Sequence, residues 1–193
     1  NIAISIAKLL NHPTPSKDNG LHLPSHLSSL LIHRREKQRV LIHATSSCPS
    51  KNWPLKKYIK LSKLLHEKGF NPVFSLHIDE KDVMKDVQKE GLDAICFGLL
   101  DELAAYIFES GYLIGNDSLQ AHLASNLKIP TLVIGDQKDR LRLWRPGWLM
   151  GHVMTPPRWI PNCKPWRLRK RHWQYFISVN TVLRHFEKLR SSF

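Results

Sequence analysis

Residues 112–122, Tyr-Leu-Ile-Gly-Asn-Asp-Ser-Leu-Gln-Ala-His, run a short apolar stretch into Asn116, Asp117 and Ser118 and then into a helix-forming stretch that carries His122. A strand that ends in small polar residues and turns into a helix aims free backbone N–H groups, and the positive end of the helix dipole, at whatever binds there; phosphate suits such a turn best. Ser118 and His122 are four apart, so a helix beginning at Ser118 sends both side chains from one face. The competing reading is an ordinary helix start, with Asp117 or Ser118 as cap and His122 half-buried. A second polar stretch, 43–54, reads His-Ala-Thr-Ser-Ser-Cys-Pro-Ser-Lys-Asn-Trp-Pro. It offers the hydroxyls of Thr45 and Ser46 and the ammonium of Lys51, a compact charge on a flexible stem that can neutralise a diphosphate. Read alone, Lys51 is a surface lysine in a Ser-rich loop.

These stretches need elements to position them. Apolar periodicity predicts strands over 40–44, 72–77, 94–97, 112–115 and 131–135, alternating with helices over 55–68, 81–90, 101–110 and 119–127. Gly69, Gly91 and Gly111 read as helix stops, and Pro130 precedes the last strand. Short, continuously apolar strands spaced by helices indicate an α/β fold: a Rossmann-like, doubly wound parallel sheet covered on both faces. In a sheet of order 3-2-1-4-5 the first and fourth strands are neighbours, and both polar loops leave carboxyl ends and face one cleft. Residues 2–10 look helical and 11–24, with three prolines and a glycine, look like a loop or linker. Patterning lapses over 136–173, read as irregular, before a final helix over 175–189 whose Phe176, Val179, Val182, Leu183, Phe186 and Leu189 recur at helical spacing.

At 193 residues and 42% hydrophobic, the chain can bury one substantial core. Lys8 interrupts the first apolar run and no small-residue cleavage site follows, so neither a signal peptide nor a membrane span is expected. Cys48, Cys96 and Cys163 are odd in number and widely separated, which suggests neither a disulfide framework nor a zinc site and fits a reducing cytoplasm. No G-x-G-x-x-G follows the first strand, which argues against a Rossmann oxidoreductase. Pro24 lies between His22 and His26 and disfavours the helix that a metal-binding pair would need. The net charge of +13 is uneven: residues 1–135 hold 16 Lys and Arg against 13 Asp and Glu, whereas 136–193 hold 13 against 3. Such a basic end attracts polyanions. Over 158–173, Lys164, Arg167, Arg169, Lys170 and Arg171 interleave with Trp166 and Trp173. That pattern suits an anionic membrane or a phosphorylated lipid acceptor, suits single-stranded nucleic acid less, and otherwise describes tryptophans packing the last helix beneath solvated arginines.

The order and spacing of these pieces resemble the C-terminal half of a bacterial lipopolysaccharide heptosyltransferase, glycosyltransferase family nine. The residues that carry the resemblance are His43-Ala44, Thr45-Ser46, Lys51-Asn52-Trp53-Pro54, Asn116-Asp117-Ser118-Leu119-Gln120-Ala121-His122, the strand 130–135 and the helix 177–189. The resemblance implies a GT-B fold and transfer of heptose from ADP-heptose to the lipopolysaccharide inner core, with a nucleotide-sugar donor as substrate and neither metal nor other cofactor. Lys51, Asp117 and His122 would be catalytic. Thr45, Ser46, Lys51 and Ser118 would hold the diphosphate, and Asp117 and His122 would face the sugar. Asp79 or Glu80 would bind the ribose, and backbone at Gly98 would pass the base. The chain departs from the family where relatives carry glycine and Leu119 stands, since a Cβ there hinders backbone approach to phosphate.

By the same resemblance, residues 1–34 would be the last helix and linker of an N-terminal half that holds the acceptor site and the catalytic base. Residues 35–160 would be the nucleotide-sugar domain, and 161–193 a basic segment and helix packed on it. The implied partners are a nucleotide sugar, a lipopolysaccharide precursor as acceptor, the N-terminal half, and an anionic membrane surface through 158–173, placing the protein at the cytoplasmic membrane face; nucleic acid is the least expected. The alternative is a non-catalytic degenerate relative or a polyanion-binding module.

Overall fold

The computed structural model describes residues 30–136, 151–157, 159–161 and 167–193. The expected helix at 2–10, the loop at 11–24, His22 and His26, and Arg158, Cys163, Lys164 and Trp166 lie outside the described residues. The described elements are β1 (Glu36–His43), a 3-10 turn (Pro49–Lys51), α1 (Leu55–Glu67), β2 (Asn71–His77), α2 (Lys81–Lys89), β3 (Asp93–Phe97) and α3 (Leu100–Glu109). They continue with β4 (Ser110–Asn116), α4 (Leu119–Asn126), β5 (Thr131–Ile134), β6 (His152–Met154), α5 (Leu168–Arg171), a second 3-10 turn (Trp173–Phe176) and α6 (Val179–Arg190).

All strands pair in parallel, in the order β3-β2-β1-β4-β5-β6. Alternating side chains of each strand feed two cores. Val40, Ile42, Phe74, Leu76, Tyr112 and Ile114 face α1, α2 and α6, while Leu41, Val73, Leu113 and Val133 face α3 and α4. Every central strand is therefore apolar on both sides, as a parallel sheet sandwiched by helices requires. Gly69 and Gly91 take φ of +82° and +72° just beyond α1 and α2, the left-handed backbone that ends a helix cheaply only at glycine.

The structure corrects the sequence reading at three places. Gly111 does not stop a helix; it is the second residue of β4, and a Cβ there would collide with the Lys37 backbone. Within 136–173, expected to be irregular, β6 extends the sheet by pairing Leu132 with His152 and Ile134 with Met154, and α5 forms a single turn. Three residues are too few to show a strand period. The last helix begins at Val179 and not at 175, because Ser178 caps it by accepting the Thr181 N–H at 3.2 Å.

Helix α6 is fastened by an aromatic cluster: the Phe186 ring lies 5.1 Å from Phe70 and 5.1 Å from Tyr112, both edge-on. Phe186 is fully buried. Phe186→Ala should therefore lower unfolding stability by about 4 kcal/mol, a large aromatic deletion with incomplete collapse of the space left behind, as read by urea denaturation.

Candidate functional site

The site is built by the carboxyl ends of β1 and β4, which are neighbours in register: Ile42 pairs with Ile114 and His43 with Gly115. Close approach is needed there, since a Cβ on Gly115 would sit 2.9 Å from the His43 carbonyl oxygen. One residue further on, the fully buried side chain of Asn116 joins the two loops. Its Nδ2 donates to the Ala44 carbonyl at 2.8 Å, and its Oδ1 accepts from the Trp53 N–H at 2.9 Å and from the Tyr58 hydroxyl at 3.0 Å. Two donors on one end and a carbonyl on the other leave a single orientation for the amide. Burial pushes the Tyr58 phenol well above its usual pKa, so its proton stays in place to donate. Nδ2 also lies 3.4 Å from Asn52 Oδ1, and Asn52 Oδ1 in turn accepts from Ser46 Oγ at 2.5 Å.

The loops expected to face one cleft are thus tied together. Thr45 follows β1 directly, and its Oγ1 is buried without a hydrogen-bond partner among the described residues. Ser118 occupies the cap position of α4 yet makes no capping bond, and its Oγ is likewise buried and unpartnered. An ordinary cap would have used that hydroxyl. Buried hydroxyls without partners are uncommon, and these two stand on the loops that leave the adjacent strands β1 and β4, which makes the loops the candidate place for a polar ligand. Ser46 differs, since its hydroxyl turns back into its own loop toward Asn52 and Cys48. Lys51 closes the first 3-10 turn, half-buried, with its N–H on the Cys48 carbonyl at 2.9 Å.

On the other loop, Asp117 Oδ1 and His122 Nε2 stand 3.6 Å apart, an ion pair when the imidazole is protonated. Leu119 opens α4 with 66% of its surface exposed, so no core packing holds it in place. Of the two candidate carboxylates after β2, Asp79 is highly exposed and pairs with His77 Nδ1 at 3.0 Å. Glu80 lies closer to the cleft: its Oε2 accepts the His77 N–H at 2.7 Å, and its charge acts on His43 at the end of β1. Gly98, past β3, is beside Ile78, where a Cβ would find Ile78 Cδ1 at 3.9 Å, an ordinary contact. Among the described residues no cluster of three or more His, Cys, Asp or Glu is placed to hold a metal ion.

Sequence reasoning placed Asn116 and His43 in motifs without finding what they hold, and it missed Ile78, Leu99 and Leu100. Asn116 looked like one more polar residue of a turn, and only its burial identifies it as the tie. Ile78, Leu99 and Leu100, each at least half exposed, gather at the ends of β2 and β3 as an apolar ledge beside Gly98. His43 is buried, with Nδ1–H donating to the Ser75 carbonyl at 2.9 Å, and desolvation holds its pKa below the usual value.

A parallel sheet whose carboxyl-end loops enclose a polar notch over a helix start is a Rossmann-like unit of the kind found in GT-B transferases. The sequence matches the family Glycosyltransferase family 9 (heptosyltransferase) over residues 6–142, and the chain belongs to that family. A family 9 glycosyl transferase from Veillonella parvula superposes with a TM-score of 0.73 at 17% identity, over 98% of this chain and 59% of its own. E. coli heptosyltransferase WaaC with ADP gives 0.67 at 15% identity, over 95% and 53%. E. coli ADP-heptose lps heptosyltransferase II gives 0.65 at 15%, over 88% and 52%. The chain therefore spans about half the length of these solved relatives, as a C-terminal half would. No match is found among curated protein sequences.

Two outcomes follow from this geometry. Asn116→Ala leaves the Ala44 carbonyl, the Trp53 N–H and the Tyr58 hydroxyl without their partner and should cost about 3 kcal/mol in urea unfolding. His43 has a native pKa below the 6.5 of the free side chain, so the unfolded state binds the extra proton. Stability is then full above 6.5 and declines as pH falls from there toward the depressed native value. His33 and His185, also lowered chiefly by burial, add to the same slope. Unfolding free energy measured from pH 8 to 5 should fall, and fall less in His43→Gln, which keeps an N–H donor for Ser75.

Proposed function

We infer that this chain is the donor-binding half of a glycosyltransferase, directed to ADP-heptose and serving lipopolysaccharide inner-core assembly. The observation that carries the reading is the pair of buried, unpartnered hydroxyls, Thr45 Oγ1 and Ser118 Oγ, on two loops joined by Asn116. A diphosphate between them would accept from both hydroxyls and from the first N–H groups of α4, with Lys51 neutralising its charge. Ser46 would then shape the loop and leave phosphate contact to Thr45. One Glu80 oxygen holds the His77 N–H, and the other would take a ribose hydroxyl. The ledge of Ile78, Leu99 and Leu100 would cover one face of the base. Donors of this kind also fit the solved relatives, one of which is E. coli heptosyltransferase WaaC with ADP-2-deoxy-2-fluoro heptose.

In the transfer, a bond forms between an acceptor oxygen and the anomeric carbon while the bond from that carbon to the diphosphate breaks, inverting the centre. Positive charge grows on the sugar ring and negative charge on the departing diphosphate. Lys51 and the start of α4 would lie on the side where the negative charge grows, and fixed charges placed there lower the barrier without having to reorganise. Asp117 and His122 would orient the sugar and hydrogen-bond to it or to the phosphate. The acceptor and the base that takes its proton would belong to the other half of the transferase, so this chain alone would bind donor without turning it over.

Titration calorimetry with ADP, UDP and GDP tests the reading. ADP should bind in preference to the other two, and Lys51→Ala should weaken it by about tenfold or more, the loss of one charge-assisted contact to phosphate. Leu119→Gly should tighten binding by removing the Cβ from the helix start. No ADP binding by wild type, together with binding by Leu119→Gly, would make the chain a degenerate relative. Equal, salt-sensitive binding of all three would overturn the donor site altogether.

A further inference from the structure

The first 3-10 turn, Pro49–Lys51, contributes no buried residue, so apolar packing does not hold it. So short a piece of 3-10 helix is not stable by itself, and the turn depends on its hydrogen bonds. Two of these are internal: the Lys51 N–H donates to the Cys48 carbonyl at 2.9 Å and the Asn52 N–H to the Pro49 carbonyl at 3.0 Å. The Ser50 carbonyl comes next in the chain, and its partners lie far away in sequence. Trp173 Nε1 donates to it at 3.2 Å and Gln174 Nε2 at 3.0 Å, which fills both lone pairs of one oxygen.

The Ser50 carbonyl and the Lys51 N–H are the two ends of one planar peptide group. With the N–H on Cys48 and the oxygen on Trp173 and Gln174, the plane that leads into Lys51 is held at both ends. The plane that leaves Lys51 is held through the Asn52 N–H. The direction of the Lys51 Cα–Cβ bond is therefore set, and only side-chain rotation remains. The two donors are fixed in turn. Trp173 is buried in the core shared by α1 and α6. Lys57 Nζ, on α1, holds the carbonyls of Gln174 and Ile177 at 2.6 and 2.9 Å, and Trp53 Nε1 donates to the Ile177 carbonyl at 3.1 Å. Hydrogen bonds thus cross the join in both directions.

We propose that Trp173 and Gln174 are positioning residues for Lys51, so that the second 3-10 turn sets how well the notch holds phosphate. The role rests on the donor reading, in which Lys51 neutralises a diphosphate. A lysine on an unheld turn samples many positions and must give them up on binding, whereas one on a fixed backbone has given up much of that freedom before the ligand arrives. Neither Trp173 nor Gln174 needs to touch the donor to have this effect. A join that served stability alone would have no reason to close on the peptide group next to the charge.

Gln174→Met removes one donor at similar size and leaves the main-chain carbonyl that Lys57 holds; Trp173→Phe/Gln174→Met removes both donors. Calorimetric titration of the whole chain with ADP should show affinity reduced about fivefold in Gln174→Met, the scale of one neutral hydrogen bond, and further in the double variant. In a Lys51→Ala background Gln174→Met should bring no additional loss, because the side chain it positions is gone. Hydrogen exchange of the Lys51 amide, read by NMR with no nucleotide present, should quicken by about tenfold in the double variant while Leu41 in β1 keeps its rate. An equal loss of ADP affinity with and without the Lys51 side chain would reduce the join to a structural one and overturn the proposal. So would a Lys51 exchange rate that stays unchanged or rises no more than that of Leu41. ADP binding that Lys51→Ala weakens and Gln174→Met leaves intact would remove the positioning role alone; no ADP binding by the wild type would sink the donor reading and this role with it.

Discussion

The amide of Asn116 is the constraint on which the notch depends. It sits where β4 ends, in contact with the end of β1 and the entry to α1, and its bonds to Ala44, Trp53 and Tyr58 are made in full burial. A buried amide that satisfies both ends is stable in only one orientation, and a half-satisfied one is worse than an apolar side chain. This all-or-none character sets the spacing of the loops. The short strands bring Thr45 and Ser118 into the same neighbourhood; the amide decides that they stay there.

Around that tie, the polar groups divide by what they already hold. Ser46 and Asn52 satisfy one another and give the first loop its shape, while Thr45 and Ser118 keep buried oxygens with no partner. His43 shows the opposite solution: burial favours its neutral form, and its proton is committed to the Ser75 carbonyl. The end of β1 therefore carries no histidine charge near neutral pH. On the second loop, charge is carried by the Asp117–His122 pair, 3.6 Å apart.

The C-terminal segment is bound to the domain by a different device. Trp53, Lys57, Trp173 and Gln174 all donate to backbone carbonyls across the join between α1, the first loop and the second 3-10 turn. Phe186 anchors the helix that follows, packed against Phe70 and Tyr112. Carbonyls in irregular chain need donors when buried, and long side chains with a single N–H or ammonium tip can reach them without regular structure. That is how a stretch of arginines with only one short helical turn becomes a defined part of the molecule, and how it comes to share a fixed frame with Lys51.

Much of this was legible in the residues alone. The alternation of apolar runs determined the α/β class, five of the strands and the sequence of helices between them, because pleat and helix periods are local properties of the chain. The same pattern implied that the loops after β1 and β4 share a cleft, since strand order in a doubly wound sheet follows from handed crossovers. β6, at three residues, was too short to carry a period, and Gly111 looked like a helix stop because its near approach to Lys37 lies outside any local window. What only the tertiary structure decided were the pairings between distant residues: Asn116 with Ala44 and Trp53, Trp173 with Ser50, and the exposure of Ile78, Leu99 and Leu100 as a ledge. A side-chain hydrogen bond across more than sixty positions leaves no periodic trace, because it depends on where two backbones happen to meet and on how completely water has been excluded between them.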